Sequence, residues 1–379
     1  MPLTQTQKRL LYLDLIKVVS LIFMPVAHMI EELADIEIYA DSFPLSEVMT
    51  ALGLAYITIG PVLFIFSMGV SMHLTRHTEP KDFAKRGVIL IGCFFLLNIF
   101  RYVLPEIFKI LCFNESDPLF SVVEVLFVSD VLLFAGLAFL FFALVKKLRV
   151  PASAVIGFGL ICTIGQMFIP ALTFGSSVPE TILSDVVGYF IFVEEDVSFF
   201  PFISWIIFVI LGYIYGEQLL KTASKDRFHL YIGISGVVVL LILFAVTIAA
   251  GIFETRFILW GTQGFRMDMF STFFSAAVSA ISISILYFAA KPVKGEKITR
   301  ILKTVSGNIT RIYCIHWVVL EFFLVILMEC TDTVITAWWM PFVLGILLFV
   351  VSAVLAEIYT RWKINQKMKK KTGNQIEKQ

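Results

Sequence analysis

Apolar residues in this chain come in long runs separated by short polar or charged stretches, and the pattern continues almost to the end. Each run is about 20 residues, the length of helix needed to cross a bilayer core of roughly 30 Å. Ten runs qualify: 10–30, 49–73, 87–104, 126–146, 151–169, 201–220, 229–250, 269–290, 305–328 and 339–360. They predict an all-α, polytopic membrane protein of about ten transmembrane helices. The first run follows MPLTQTQKRL without a small-residue cleavage site, so it reads as a spanning helix and not as a removable signal peptide.

The polar connectors orient the bundle. With the N-terminus placed in the cytoplasm, 24 of the 30 Lys and Arg fall in inner connectors or the C-terminal tail. The outer connectors are acidic, as in EELADIEIYAD (31–41) and VEEDVSFF (193–200). Such a bias is the signature of helices that leave their basic flanks in the cytoplasm. It predicts a multi-pass protein of the plasma membrane with both termini cytoplasmic. Residues 1–362 then form one transmembrane domain, and 363–379 a basic, disordered tail able to lie against anionic lipid. Two outer segments, 105–125 and 170–200, mix apolar runs with Pro, Gly and acids. They read either as surface helices or as pieces that roof a cavity.

Composition narrows the classes. Charged residues make up 16% of the chain, against about 25% in soluble domains. That excludes an ordinary soluble enzyme and a disordered chain, and a net charge of +1 points to no nucleic-acid partner. The five Cys show no metal-ligand spacing, so no metal is expected. Cys112 and Cys330 both fall in outer segments, which leaves a disulfide between them open.

Ionisable groups inside a span cost roughly 2.5–3.5 kcal/mol each on insertion scales, so each is a candidate for function. The first span, LDLIKVVSLIFMPVAHMIEEL, holds Asp14, Lys17 and His28. At 100° per residue Lys17 and His28 lie only about 20° apart around the helix and about 16 Å apart along it. Asp14 can pair with Lys17 at i, i+3. Pro25, between the cation and the imidazole, frees the carbonyl of Leu21. The plainer reading is an interfacial ion pair and a hydrogen-bonded interfacial His. Elsewhere stand Arg101, with Glu106 or Asp130 as a partner, and Arg311, His316 and Glu321. Asn308 and Arg311 share a face. Arg311 and His316 do not. GPVLFIFSMGVSMHLTRH (60–77) puts Ser67, Gly69 and Ser71 in the second span, where close helix packing is the commoner use of small residues.

These segments resemble two related families of integral-membrane acyltransferases. One is the acyltransferase-3, or O-acetyltransferase-like, family; the other is the heparan-alpha-glucosaminide N-acetyltransferase-like family. The first span carries LDLIK, whose Lys17 is followed by ten residues and then His28. The second carries GPVLFIFSMGVSM (60–72), and the ninth GNITRIYCIHW (307–317), in the families' order. Lys17 stands where Arg is common, and Ser67-Met68-Gly69 replaces an adjacent Ser-Gly pair.

The resemblance implies transfer of an acyl group, most simply acetyl, from cytoplasmic acetyl-CoA or another acyl-CoA to a hydroxyl or amine of a carbohydrate or cell-envelope glycan. His28 would be the general base, since an imidazole titrates near neutral pH. Lys17, Arg311 and the inner-loop cations Arg76, Lys81, Lys85 and Arg86 would hold the nucleotide and its phosphates. Arg101, His316, Asp14 and Ser67 are further substrate-binding candidates, with Glu31, Glu194, Glu195 and Trp260 near the sugar. Homodimerisation stays open. The competing class is a proton-coupled transporter or flippase of a polar solute or lipid-linked sugar, which would also use buried Asp, Lys, Arg and His. Against it, no internal repeat of the kind that builds transporter halves is visible.

Overall fold

A computed structural model describes residues 10–33, 58–114, 121–169, 172–174, 177–191, 193, 199–252, 267–293, 295–330 and 339–376. Among them no strand forms, apart from an isolated bridge between Leu172 and Val193. The helices are α1 Leu11–Leu33, α2 Leu63–Leu74, α3 Pro80–Asn98, α4 Leu104–Phe113, α5 Val131–Lys147, α6 Ala152–Gly165, α7 Val178–Gly188, α8 Phe202–Lys221, α9 Lys225–Ala249, α10 Met269–Ala290, α11 Glu296–Gly307, α12 Ile309–Cys330 and α13 Met340–Ile376. A helix stands at each of the ten predicted places. Among the described residues, seven segments are long and apolar enough to cross a membrane: α1, α3 with α4, α8, α9, α10, α12 and α13. The predicted count of about ten is therefore carried only in part, because α2, α5 and α6 are shorter. In the last element, the described backbone is helical to Ile376, where a disordered tail from residue 363 was expected.

Local chemistry starts and interrupts these helices. Pro80 opens α3, in the first turn, where no helical N–H is needed. Asp130 caps α5 by accepting from the N–H groups of Leu132 and Leu133, and Ser224 and Asp268 cap α9 and α10 in the same way. Ser177 and Glu180 form a capping box on α7. Two π-helical turns break the regular spacing: Thr58–Val62 ahead of α2, containing Pro61, and Ile99–Val103 between α3 and α4, containing Arg101. Such turns are rare and concentrate at functional sites.

Small residues set the closest crossings. A Cβ on Gly69 of α2 would collide with the Val209 carbonyl of α8, and one on Gly212 of α8 would collide with the Phe66 carbonyl. Gly345 of α13 likewise lies against the backbone of Pro25 and Val26 in α1. In a bilayer, where lipid tails are as apolar as the side chains, such backbone approach is a main source of helix association. The outer surfaces of α9 and α13 are rich in exposed Leu, Ile and Val, as a lipid-facing surface requires.

Candidate active site

The end of the bundle where α1 begins is called inner, and the other outer. At the inner end a chamber of about 500 Å³ opens between α1, α2, α3, α5 and α12. Its mouth carries Lys17, His77, Lys85 and Arg86 together with Asp82. The Arg86 guanidinium lies 5.9 Å from the centre of the Phe139 ring, which also faces the chamber. Deeper in, the wall turns apolar with Phe64, Met68, Leu132 and Ala135, relieved by Ser67 and Ser71. Ser67 donates to the carbonyl of Phe64 and Ser71 to that of Ser67, so both hydroxyls are held along α2.

A smaller outer chamber, of about 110 Å³, is lined by His28 and Glu32 of α1, Pro61, Arg101, Asp130, Tyr313 and Trp317. Both π-helical turns thus deliver a residue to its wall. The two chambers share two lining residues, Val131 and Tyr313. Lys17 faces the inner chamber and His28 the outer, so the face they share on α1 is the face turned to both.

Around His28 the packing is aromatic. The Trp317 ring centre lies 4.0 Å from that of His28, and the His316 ring is nearly parallel to His28 at 5.7 Å. His316 is fully enclosed, with Nδ1 3.3 Å from the Ile312 carbonyl and Nε2 without a hydrogen-bond partner. It lines neither chamber, and its place is behind the His28 ring. The Arg101 guanidinium sits 3.2 Å from the centre of the Trp317 ring and is anchored by Nε to Glu321 of α12 at 3.0 Å. Arg101, Trp317 and His28 therefore form one layered wall, a cation–π contact backed by an ion pair.

The roof is fixed by hydrogen bonds to a short loop, residues 126–130. The Asn98 amide donates to the carbonyls of Leu126 and Val128. The Tyr189 hydroxyl donates to that of Phe127 at 2.7 Å. Ser129 donates to the Phe199 carbonyl and accepts from its N–H, both at 3.0 Å. Phe200, on the outer chamber's wall, is held with φ at 59°, a left-handed backbone that bulky residues rarely adopt. Beside this roof lies Asp185 of α7, buried with neither carboxylate oxygen hydrogen-bonded. Burial, with the Glu124 carboxylate nearby, pushes its carboxyl up to about 7.

The expected site residues divide clearly. His28 and Arg101 reach the outer chamber, and Lys17 and Ser67 the inner. Of the four inner-loop cations, Lys85 and Arg86 line the chamber; Arg76 and Lys81 do not. Arg311 departs from the expected phosphate contact. Its Nη1 donates to Asn308 at 2.6 Å and to Thr360 of α13 at 3.2 Å, on the side away from both chambers. Asp14 is buried and accepts from Ser306 of α11 at 2.5 Å, also outside the chambers. The partner of Arg101 is Glu321, where Glu106 or Asp130 was expected. Cys112 and Cys330 are both exposed and unpaired. Glu194, Glu195, Trp260 and the Glu31 side chain lie outside the described residues. Among the described residues no group of His, Cys, Asp and Glu could hold a metal ion. The sequence reading assigned no part to Tyr313, Trp317 or Glu32. The first two stand inside GNITRIYCIHW, and Glu32 is one turn beyond His28 on α1.

Residues 9–245 match the family described as heparan-alpha-glucosaminide N-acetyltransferase, catalytic. The match spans more than half of the 379 residues, and the chain belongs to that family. Of the two families resembled in sequence, it is the second. Comparison with curated proteins finds no match.

Proposed function

We propose that this member of the heparan-alpha-glucosaminide N-acetyltransferase catalytic family transfers an acetyl group from acetyl-CoA, entering the inner chamber, to an amine or hydroxyl of a carbohydrate in the outer one. What carries the reading is the single face of α1: it sets a cation at the entrance of one chamber and an imidazole on the wall of the next. Lys17, Lys85 and Arg86 supply positive charge for the donor's phosphates. The apolar inner wall suits the slender arm that ends in the thioester.

In the outer chamber the acceptor's nitrogen or oxygen attacks the thioester carbonyl. His28 takes the proton released from the acceptor, the carbon–sulfur bond breaks, and CoA leaves as the thiolate. Trp317 and His316, neighbours on α12, pack against the His28 ring, which limits its freedom to turn from the acceptor. Glu32 and Arg101 offer one acceptor and several donors to sugar hydroxyls. Around that chamber Glu32, Asp130 and Glu321 outnumber Arg101, a balance that draws in an amine as its ammonium, which gives up one proton to water before its nitrogen attacks and the second to His28 as the amide forms. The same protein would sit in the plasma membrane with its inner end in the cytoplasm, where acyl-CoA is made. Family membership favours this enzyme over a transporter.

The test is acetyl transfer by purified protein from labelled acetyl-CoA to amino-sugar and hydroxyl-bearing glycans. His28→Ala protein that is folded and inserted should transfer about 10²–10⁴-fold more slowly than wild type. Full activity in that variant would refute His28 as the base.

A further inference from the structure

Two water-accessible chambers that meet in the middle of a membrane protein pose a hazard, because water is itself a nucleophile toward a thioester. The point where they meet is narrow and well built. Only Val131 and Tyr313 belong to both walls, and both are almost wholly enclosed, at 2% and 4% exposure. Tyr313 comes from α12 and Val131 is the first residue of α5. They are tied through the residue between them in space: the Tyr313 hydroxyl donates to Asp130 Oδ2 at 3.0 Å. The other oxygen, Oδ1, accepts from the N–H groups of Leu132 and Leu133 at 2.7 and 3.2 Å. One carboxylate thus fixes the start of α5 and the tyrosine ring together. With both oxygens engaged, the carboxylate holds the ring in the junction while no acyl arm occupies it.

We propose that Tyr313 and Val131 form a septum that bars water from passing between the chambers and yields only to the donor's acyl arm, so that the acyl group passes to the bound acceptor and not to water. The inference rests on the acyl-transfer reading for its chemical half alone. Apolar constrictions block ions and water by dewetting, and a phenol ring packed beside a valine fits that role. With the septum removed, water from the outer side would reach the thioester. Its oxygen would attack the carbonyl, the carbon–sulfur bond would break, and the products would be the free carboxylic acid and CoA thiol. The joined chambers would also form a wet path through the bundle, open to protons whether or not a donor is bound.

Both consequences are measurable in sealed liposomes carrying an internal pH dye. Wild-type protein, Tyr313→Phe, Tyr313→Ala and Val131→Ala are reconstituted at equal density, and an external pH step is applied. CoA thiol release from acetyl-CoA without acceptor is followed in parallel. Wild type and Tyr313→Phe, which keep the ring, should hold the gradient. Tyr313→Ala and Val131→Ala should lose it several-fold faster and release CoA thiol without acceptor. Val131→Ala leaves the Tyr313–Asp130 hydrogen bond intact, so it decides the matter even where Tyr313→Ala folds poorly. Inserted, monodisperse Val131→Ala protein that holds the gradient as long as wild type, and releases no additional CoA thiol, overturns the septum. A wild type that acetylates no acceptor defeats the acyl-transfer reading instead, while the gradient comparison still judges the septum.

Discussion

The two ends of α1 each meet a histidine set among aromatic rings, and the two arrangements differ in one respect. At the inner end Tyr12 bonds to Tyr215 at 2.9 Å, and Tyr215 to His229 Nε2 at 2.7 Å. His229 Nδ1 lies 2.6 Å from the Lys225 carbonyl, and the ring stacks on Tyr287 at 3.6 Å. His229 is wholly buried, with both nitrogens occupied. The Nδ1 contact with a carbonyl requires Nδ1–H, which leaves Nε2 to accept from Tyr215 and fixes the direction of the chain. At the outer end His28 is half-buried and lines a chamber. The lesson is that burial and aromatic company do not mark a catalytic imidazole. Access does, and by that measure His229 is a clasp joining α1, α8, α9 and α10.

Substitutions should separate the two ends. The largest effect is expected from His28→Ala, which should lower the rate of acetyl transfer by about 10²–10⁴-fold with an unchanged melting temperature. His229→Ala should do the reverse. Losing a buried ring and orphaning Tyr215 should cost on the order of 3 kcal/mol in detergent unfolding, with transfer per folded molecule preserved. A His229→Ala protein that is stable but inactive would erase the distinction. Between them falls Glu321→Gln. It leaves Arg101 without its ionic anchor over Trp317, for a loss of roughly 2–3 kcal/mol and a raised KM for the acceptor. Lys17→Ala should raise the KM for acetyl-CoA by about tenfold, equivalent to roughly 1.4 kcal/mol, with acceptor KM unmoved.

The smallest effect is a pH dependence at the outer roof. Asp185 holds its proton up to about 7 in the fold, above the ordinary value of 3.8. The folded state therefore binds more protons than the unfolded one between those values, and stability falls as pH rises through that window. Melting temperatures of wild type and Asp185→Asn should be closest at pH 4–5 and furthest apart, with the variant higher, at pH 8. Equal curves across that range would show that Asp185 is not held neutral.

What the sequence made legible was periodic or local. The apolar runs located every long helix, and the eleven-residue step from Lys17 to His28 predicted a common face because helical geometry leaves little choice. Asn308 and Arg311 were paired correctly for the same reason. Contacts between helices were not legible. Arg101 and Glu321 are 220 residues apart, and nothing but equal depth in the bundle links them. The bond of Arg311 to Thr360 of α13 was equally out of reach, because packing between helices sets it and a one-helix argument cannot see that. The small residues of the second span divide by position. Gly69 lets α8 approach, while Ser67 and Ser71 look into the chamber.

Gly345 has a consequence for how the molecule is made. Its contact with Pro25 and Val26 puts the last long helix against the first, just before His28. Tyr313 and Trp317 also belong to that late part of the chain, beyond residue 245, where the family match stops. A ribosome thus releases α1 into the membrane long before the helices that complete its chamber walls exist. For most of its synthesis the nascent protein carries His28 with no chamber around it. The walls are complete only when α12 and α13 pack against the first helix.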